Sequence, residues 1–201
     1  MTAPDPGTHV RDRHAEARDA WRALGEALAE PGLVAAVDAA GSALVDAVGR
    51  GGAVLVAGNG GSAAIASHVA TEFAGRCVVE RRPLPSINLA ESTSGITALA
   101  NDYGFDEVFA RGVRAHGRPG DVLVVMSTSG RSRNVLAALE AARGLGLLTI
   151  ALGGGDGGDL PGTADHVLLA PTAYTPRVQE VHLVWTHAWC EAVDHVWCDP
   201  T

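Results

Sequence analysis

Aromatic residues and positive charges are scarce in this sequence. Aromatic side chains are 4% of the 201 residues, and the formal net charge at pH 7 is -8. Because nucleic-acid backbones are bound by basic surfaces, this charge excludes nucleic acid as the principal partner. A small anionic ligand is compatible with it, since backbone amides and hydroxyls hold phosphate without net positive charge.

Cysteines are few and long apolar runs are absent. Cys77, Cys190 and Cys198 follow no zinc-finger or CxxC spacing, which argues against a disulfide framework and favours a reducing compartment. The first residues carry prolines and charges without an apolar signal region. No stretch reaches the ~18 to 20 unbroken apolar residues that span a bilayer. We therefore expect a cytoplasmic protein with no membrane segment.

Glycine, in contrast, is abundant, with 25 residues, and it often follows a short apolar run. We expect residues 1–14 to form a loose tail and residues 15–201 to form one domain. Helical spacing predicts a first helix that ends at Pro31 and a second from Val34 to Val48. Five apolar runs follow, at 54–56, 86–89, 122–126, 148–152 and 166–169. This pattern predicts an α/β fold: a flavodoxin-like, doubly wound sheet of five parallel strands, preceded by two extra helices.

The last predicted helix, Val178 to Val196, contains Trp185 and Trp189 and is apolar around much of its circumference. Such a helix needs neighbours on several sides, which is consistent with packing between subunits of an oligomer. Alternatively, it covers one face of the sheet in a single chain.

The first strand is followed directly by Gly58-Asn59-Gly60-Gly61-Ser62-Ala63 and then by a helix. Glycines allow the backbone to approach a ligand closely, and the helix N-terminus offers free amides to an anion. The spacing also matches the dinucleotide fingerprint, for which Glu91 would be the acidic partner, although it lies farther along the chain than is usual.

The third strand ends in a second polar loop, with hydroxyls at Ser127, Thr128, Ser129 and Ser132 before the next helix. This arrangement predicts a phosphate cradle, while the alternative, helix capping, needs only one of these residues. In a 2-1-3-4-5 strand order the first and third strands are neighbours, so both loops would face one pocket.

Two pairs of possible acid/base or metal-binding residues lie on helices. His68 and Glu72 are one turn apart on the helix after the glycine loop and could bind a divalent metal or act as a general base. Gln179 and His187 on the last helix are separated by about 12 Å of rise and so converge only on a ligand between them. His182 points away from His187 and cannot share that site.

Several segments together resemble the sugar isomerase (SIS) domain of the phosphoheptose isomerases: GNGGSAAIASHVATEFAGR from Gly58, ERRPLPSINL from Glu80, NDYGFDEVFAR from Asn101, GRPGDVLVVMSTSGRSRNV from Gly117 and RVQEVH from Arg177. The resemblance implies conversion of D-sedoheptulose 7-phosphate to D-glycero-D-manno-heptose 7-phosphate by a homotetramer with one zinc ion per subunit. The sequence departs from the family pattern at Ile65, where an aspartate is common, and at 173–176.

The resemblance also implies residue roles. Substrate contacts would come from Asn59, Gly60, Gly61, Ser62, Glu72, Asn101, Asp102, Ser127, Thr128, Ser129, Ser132 and Gln179. The zinc ligands would be His68, Glu72, Gln179 and His187. Glu72 would move the carbon proton and His187 the oxygen proton. A non-enzymatic relative that binds the bacterial replication initiator, or a sensor of sugar phosphates, would dispense with this acid and histidine, so their presence favours the enzyme.

Overall fold

The computed structural model describes residues 6–197, so Cys198 lies outside the described residues. Seven α-helices and five strands, with one short 3-10 helix at Phe105–Glu107, make up this part of the chain. In chain order they are α1 Pro6–Leu28, α2 Pro31–Gly49, β1 Val54–Gly58, α3 Gly61–Ala74, β2 Ser86–Asn88, α4 Thr93–Tyr103, α5 Val108–His116, β3 Val122–Met126, α6 Arg133–Leu145, β4 Leu148–Gly154, β5 His166–Ala170 and α7 Thr175–Val196.

All five strands are parallel and lie in the order β2-β1-β3-β4-β5. The predicted α/β class, the five strands and the flavodoxin-like order are therefore confirmed. The central strands β1 and β3 are buried along their whole length, as expected of a sheet covered on both faces. Gly58 pairs with Met126, so the loops that follow β1 and β3 begin side by side.

Alternate strand residues supply two separate cores. Val54 and Val56 face the layer formed by α2, α3 and α7, whereas Leu55 and Ala57 face the layer that contains α5 and α6. Trp189 is buried in the first of these cores, and its indole nitrogen donates to the carbonyl of Val37, 3.2 Å away on α2. The tryptophan-rich helix therefore covers a sheet face within one chain.

The N-terminal segment differs from the prediction. Helix α1 begins at Pro6, so residues 6–14 are helical and not a loose tail. All nine of these residues are exposed, and the first buried residue of α1 is Leu24. Hydrophobic periodicity identifies a helix only where one of its faces is buried. Because residues 6–14 are exposed on all sides, their sequence has no such periodicity and the helix there was not predicted.

Helix α2 is the one helix within residues 6–197 that is long and apolar enough to cross a membrane by length and composition. It packs against α7, β4 and β5, and Leu44 and Val48 lie in the core. A core helix passes the same test, so its composition does not indicate a membrane protein.

Candidate active site

Two helices begin at the edge where β1 and β3 end, and neither has a capping side chain. The N-cap residue of α3 is Gly60, and that of α6 is Ser132, whose hydroxyl makes no capping hydrogen bond. The first amides of a helix have no partner within the helix, and the helix dipole favours an anion beside them. Two uncapped N-termini therefore border the predicted pocket.

The two loops are joined by side chains. Asn59 in the glycine loop and Asn134 on α6 exchange two amide hydrogen bonds, each of 2.9 Å. The hydroxyl of Ser127 donates to that of Ser132 at 3.0 Å, which closes the second loop on itself. Asn134 was not singled out from the sequence, although it lies within the segment that carries the resemblance.

A glycine-rich turn after β4 packs against the second loop. Gly130 has a φ of +67°, and a Cβ there would lie 1.8 Å from the carbonyl oxygen of Gly157. The amide of Asp159 donates to the carbonyl of Gly130 at 3.1 Å, and Arg131 forms an ion pair with Asp156. The second loop, residues 127–132, is called the hydroxyl loop from here on, and it is held between α6 and this turn.

A cavity of about 250 Å³ opens beside the glycine loop. Its lining residues are Gly58, Asn59, Gly60, Ala63, Ala90, Thr93, Ile96, Thr97, Phe105 and Phe109. Helix α4 contributes its first turns, whereas Asn101 and Asp102 are exposed near its C-terminus, where the Asn101 amide donates to the Asp102 carboxylate. Their role in substrate binding stays a prediction. Larger cavities of about 820, 770 and 310 Å³ lie elsewhere, the first of them bordered by Arg133 at the start of α6.

The predicted pair His68 and Glu72 on α3 meets His187 of the second pair on α7. His68 Nε2 lies 2.7 Å from His187 Nε2 and 3.6 Å from a carboxylate oxygen of Glu72. The Glu72 side chain is 15% exposed and that of His68 is 44% exposed, so the cluster is sheltered on the Glu72 side and open on the histidine side. The structure thus brings residues 119 positions apart in the chain into one cluster of titratable side chains.

Gln179 lies at the other end of α3, beside the glycine loop. A Cβ at Gly61 would lie 2.6 Å from the Gln179 amide nitrogen, so the absence of a side chain at Gly61 makes room for this amide. The Gln179 amide thus lies beside the glycine loop, and its contact with substrate stays a prediction. Within residues 6–197 no group of three or more His, Cys, Asp or Glu side chains is arranged to hold a metal ion.

The chemistry of the donors is nevertheless suitable for zinc. Two imidazoles and a carboxylate from His68, His187 and Glu72 are ligands that zinc commonly takes. Two nitrogens on one tetrahedral zinc lie roughly 3.3 Å apart, given bonds of about 2.0 to 2.1 Å. The observed 2.7 Å between the two Nε2 atoms would need to widen only slightly. The donor types of these residues therefore suit zinc, although their present arrangement does not form a metal site.

Four other residues that the sequence analysis named lie outside the acid/base cluster. His182 is buried and lies 2.9 Å from the carbonyl oxygen of Gly153 in β4, whereas His187 contacts His68 on α3. Ser62 is buried in the first turn of α3, and Ile65 packs against the core. Tyr174 is 65% exposed and borders a different cavity, next to α1.

The fold and the paired loops define a class of protein. The sequence matches the SIS domain over residues 18–154, which contain β1 to β4 and both loops. The chain therefore belongs to the SIS domain family.

Individual relatives narrow the assignment. A phosphoheptose isomerase from Rhodospirillum rubrum is 50% identical over 148 residues, which are 74% of this chain and 79% of that protein. One from Burkholderia pseudomallei is 42% identical over 188 residues, 94% of each. The structure of a phosphoheptose isomerase from Francisella tularensis matches with a TM-score of 0.87 at 36% identity, over 92% of this chain and 98% of that one. Within the SIS family, the chain is a member of the phosphoheptose isomerases.

Proposed function

We propose that this protein isomerises D-sedoheptulose 7-phosphate to D-glycero-D-manno-heptose 7-phosphate, the first step toward an activated heptose. The observation that carries the proposal is the contact of His68, Glu72 and His187 between α3 and α7, two helical turns from the paired loops. This arrangement combines an anion site with acid/base groups in a chain whose relatives are named phosphoheptose isomerases.

The phosphate end of the substrate binds where the two loops meet. The uncapped N-termini of α3 and α6 supply backbone amides, and Ser127, Thr128, Ser129 and Ser132 supply hydroxyls. Asn59, Gly60, Gly61 and Gln179 contact the sugar hydroxyls. Because these donors are neutral or dipolar, the site holds an anion while the chain keeps its net charge of -8.

Proton transfer falls to Glu72 and His187. The Glu72 carboxylate takes the proton from C1 of the ketose while His187 gives a proton to the oxygen on C2, which forms a neutral enediol. Glu72 then returns its proton to C2, and His187 takes the proton from the oxygen on C1, which gives the aldose. His68 shares a proton with His187, because one of the two facing Nε2 atoms must donate and the other accept.

His68, Glu72 and His187, which lie together, are also the proposed zinc ligands. Gln179, the fourth ligand that the resemblance implies, lies beside Gly61 and would have to turn toward them to join the metal. A bound zinc ion would polarise the substrate carbonyl as a Lewis acid. A residue that ligates zinc carries a proton less readily, so metal loading competes with the acid/base roles of Glu72 and His187. Metal content and turnover must therefore be measured on the same preparations.

We further propose a homotetramer in the cytoplasm. An apolar cavity of about 770 Å³ lies between the alanine-rich face of α1 and the segment 171–177, and a second subunit would cover it. Cys77 and Cys190 are free thiols, in agreement with a reducing compartment. Light scattering that gives the mass of a monomer at working concentration would contradict the tetramer.

The activity is tested by incubating the purified protein with sedoheptulose 7-phosphate in deuterated water. We expect aldose formation with deuterium incorporated at C2, and a loss of about 10²- to 10⁴-fold in kcat for Glu72→Gln and for His187→Gln. Glu80→Gln is the matched control, since Glu80 is exposed and its ion-pair partner is Arg76. Absence of both exchange and aldose in the wild-type protein would overturn the proposal.

The metal is tested separately by elemental analysis of the wild-type protein and of His68→Ala. We expect about one zinc per chain in the former and a marked loss in the latter. Equal absence of zinc from both would leave an acid/base mechanism without metal.

A further inference from the structure

A buried ion pair lies behind the acid/base cluster. Arg81 Nε is 2.7 Å from Asp194 Oδ1, and both side chains are 0% exposed. Burying two charges costs several kcal/mol per ion unless hydrogen bonds satisfy them fully. Such a pair therefore contributes little net stability by itself, and its role is to fix the groups to which its other hydrogen bonds are made.

Arg81 binds the C-terminal end of α3. Its guanidinium donates to the main-chain carbonyls of Glu72 at 2.7 Å, Phe73 at 3.0 Å and Gly75 at 3.2 Å, and also to that of Arg82. The last carbonyls of a helix have no partner within the helix, and a positive charge there is favoured by the helix dipole. Arg81 thus fixes the backbone of Glu72, the proposed base, through the main-chain carbonyl oxygen of that residue.

Asp194 extends the same network to α7. One of its carboxylate oxygens accepts the amides of Cys77, Val78 and Val79, at 2.7 to 3.0 Å. Burial alone would raise the pKa of Asp194, but these donors and the Arg81 guanidinium lower it, so the carboxylate stays ionised. Asp194 lies seven residues after His187, about two turns farther along the same helix.

We propose that the Arg81–Asp194 ion pair positions the proton-transfer groups by fixing α3 against α7, so that Glu72 and His187 both reach the C1–C2 end of the substrate. The inference rests on the proposed isomerase function for its kinetic consequence. The phosphate loops lie at the opposite end of α3, so loss of the ion pair changes the chemical step more than substrate binding. Arg81 and Asp194 are thus positioning residues that do not themselves touch substrate.

The test compares Arg81→Lys and Asp194→Asn with the wild-type protein. Lysine keeps the charge but cannot donate to so many carbonyls at once, and asparagine keeps an acceptor for the three amides while weakening the bond to Arg81. We expect kcat to fall by about 10- to 100-fold and KM to change by less than about threefold. Arg114→Lys, in the exposed pair with Glu107, is the matched control and should change neither constant.

A second measurement does not depend on turnover. Ring resonances of His68 and His187, followed by NMR in the unliganded protein, should shift in Arg81→Lys and Asp194→Asn but not in Arg114→Lys. Unchanged kcat with unchanged ring resonances, in variants that are folded by circular dichroism, would overturn the positioning role. A wild-type protein without isomerase activity would instead overturn the proposed function, and the ring resonances would still decide whether the pair positions the cluster.

Discussion

His182 makes the stability of this fold dependent on pH in a range where carboxylates contribute little. Its ring is fully buried, and Nε2 donates to the carbonyl of Gly153 at 2.9 Å. Nδ1 is buried with no hydrogen-bond partner among the described residues, and Trp185 stacks at 6.2 Å. A proton on Nδ1 would place an uncompensated charge in the core, so burial lowers the pKa of His182 to about 4, against the smaller opposing effect of the Gly153 carbonyl.

The magnitude follows from the two protonation equilibria. In the unfolded chain the pKa of His182 is the ordinary 6.5, whereas in the folded chain it is about 4. Between these values the unfolded state binds the proton and the folded state does not, so the stabilisation is complete above pH 6.5 and is lost as the pH falls toward 4. At about 1.36 kcal/mol per pKa unit the full loss is roughly 3 kcal/mol, of which roughly 2 kcal/mol is lost by pH 5.

The assay is urea unfolding at fixed protein concentration, at pH values from 8 to 5. His182→Gln keeps an N–H donor for the Gly153 carbonyl and does not titrate, so its free energy of unfolding should fall by roughly 2 kcal/mol less than that of the wild-type protein. His14→Gln, at an exposed position of α1, should follow the wild-type curve. Parallel pH curves for wild type and His182→Gln would refute the reasoning, because every other titrating group is common to both proteins.

Two further predictions concern the hydroxyl loop and a thiol. Gly130→Ala should destabilise the fold by at least about 2 kcal/mol in urea unfolding, because the new Cβ would meet the Gly157 carbonyl, whereas Gly120→Ala, with a similar φ but open space, should cost only about 1 kcal/mol. Equal losses in the free energy of unfolding for the two variants would show that the positive φ alone, and not the contact with Gly157, causes the destabilisation. Burial and the neighbouring Glu72 carboxylate raise the pKa of the Cys77 thiol to about 11, so at pH 8 iodoacetamide should modify it roughly 100-fold more slowly than glutathione, as followed by mass spectrometry. A rate like that of glutathione would contradict a raised pKa.

The sheet could be predicted because its signal is local. Each buried parallel strand is a short apolar run with a turn behind it, so 122–126 was predicted with the observed bounds and the other strands within two residues. The loops after β1 and β3 followed from the same reasoning, since the strand order brings them together. Helix α1 was predicted too short because residues 6–14 are all exposed and therefore carry no hydrophobic periodicity.

The acid/base cluster was only partly predictable. The spacing of His68 and Glu72 placed them on one face of a helix, but only the packing of α3 on α7 shows that His187 is the neighbour. Arg81 and Asp194 gave no signal at all, because an arginine beside a second arginine and an aspartate near the chain end are indistinguishable in sequence from solvated charges. Their pairing is a property of tertiary structure, made by residues 113 positions apart.

We expect the spacing between the loops and the cluster to select the length of the substrate. From Gly61, at the start of α3, to His68 is seven residues, or about 10 Å along the helix axis. An extended chain gains about 1.2 Å per bond, so the eight bonds from C1 to phosphorus in a heptulose 7-phosphate span about 10 Å, whereas the six bonds of a pentulose 5-phosphate span about 7 Å. The pentulose phosphate, held by its phosphate at the loops, would leave C1 about 2 to 3 Å short of the level of His68 and His187, and such a displacement costs at least about 100-fold in rate. We expect ribulose 5-phosphate to bind competitively and to turn over with kcat at least about 100-fold lower. Comparable kcat values for the two ketoses would show that the substrate does not lie along α3, and the phosphate would then have to be held elsewhere.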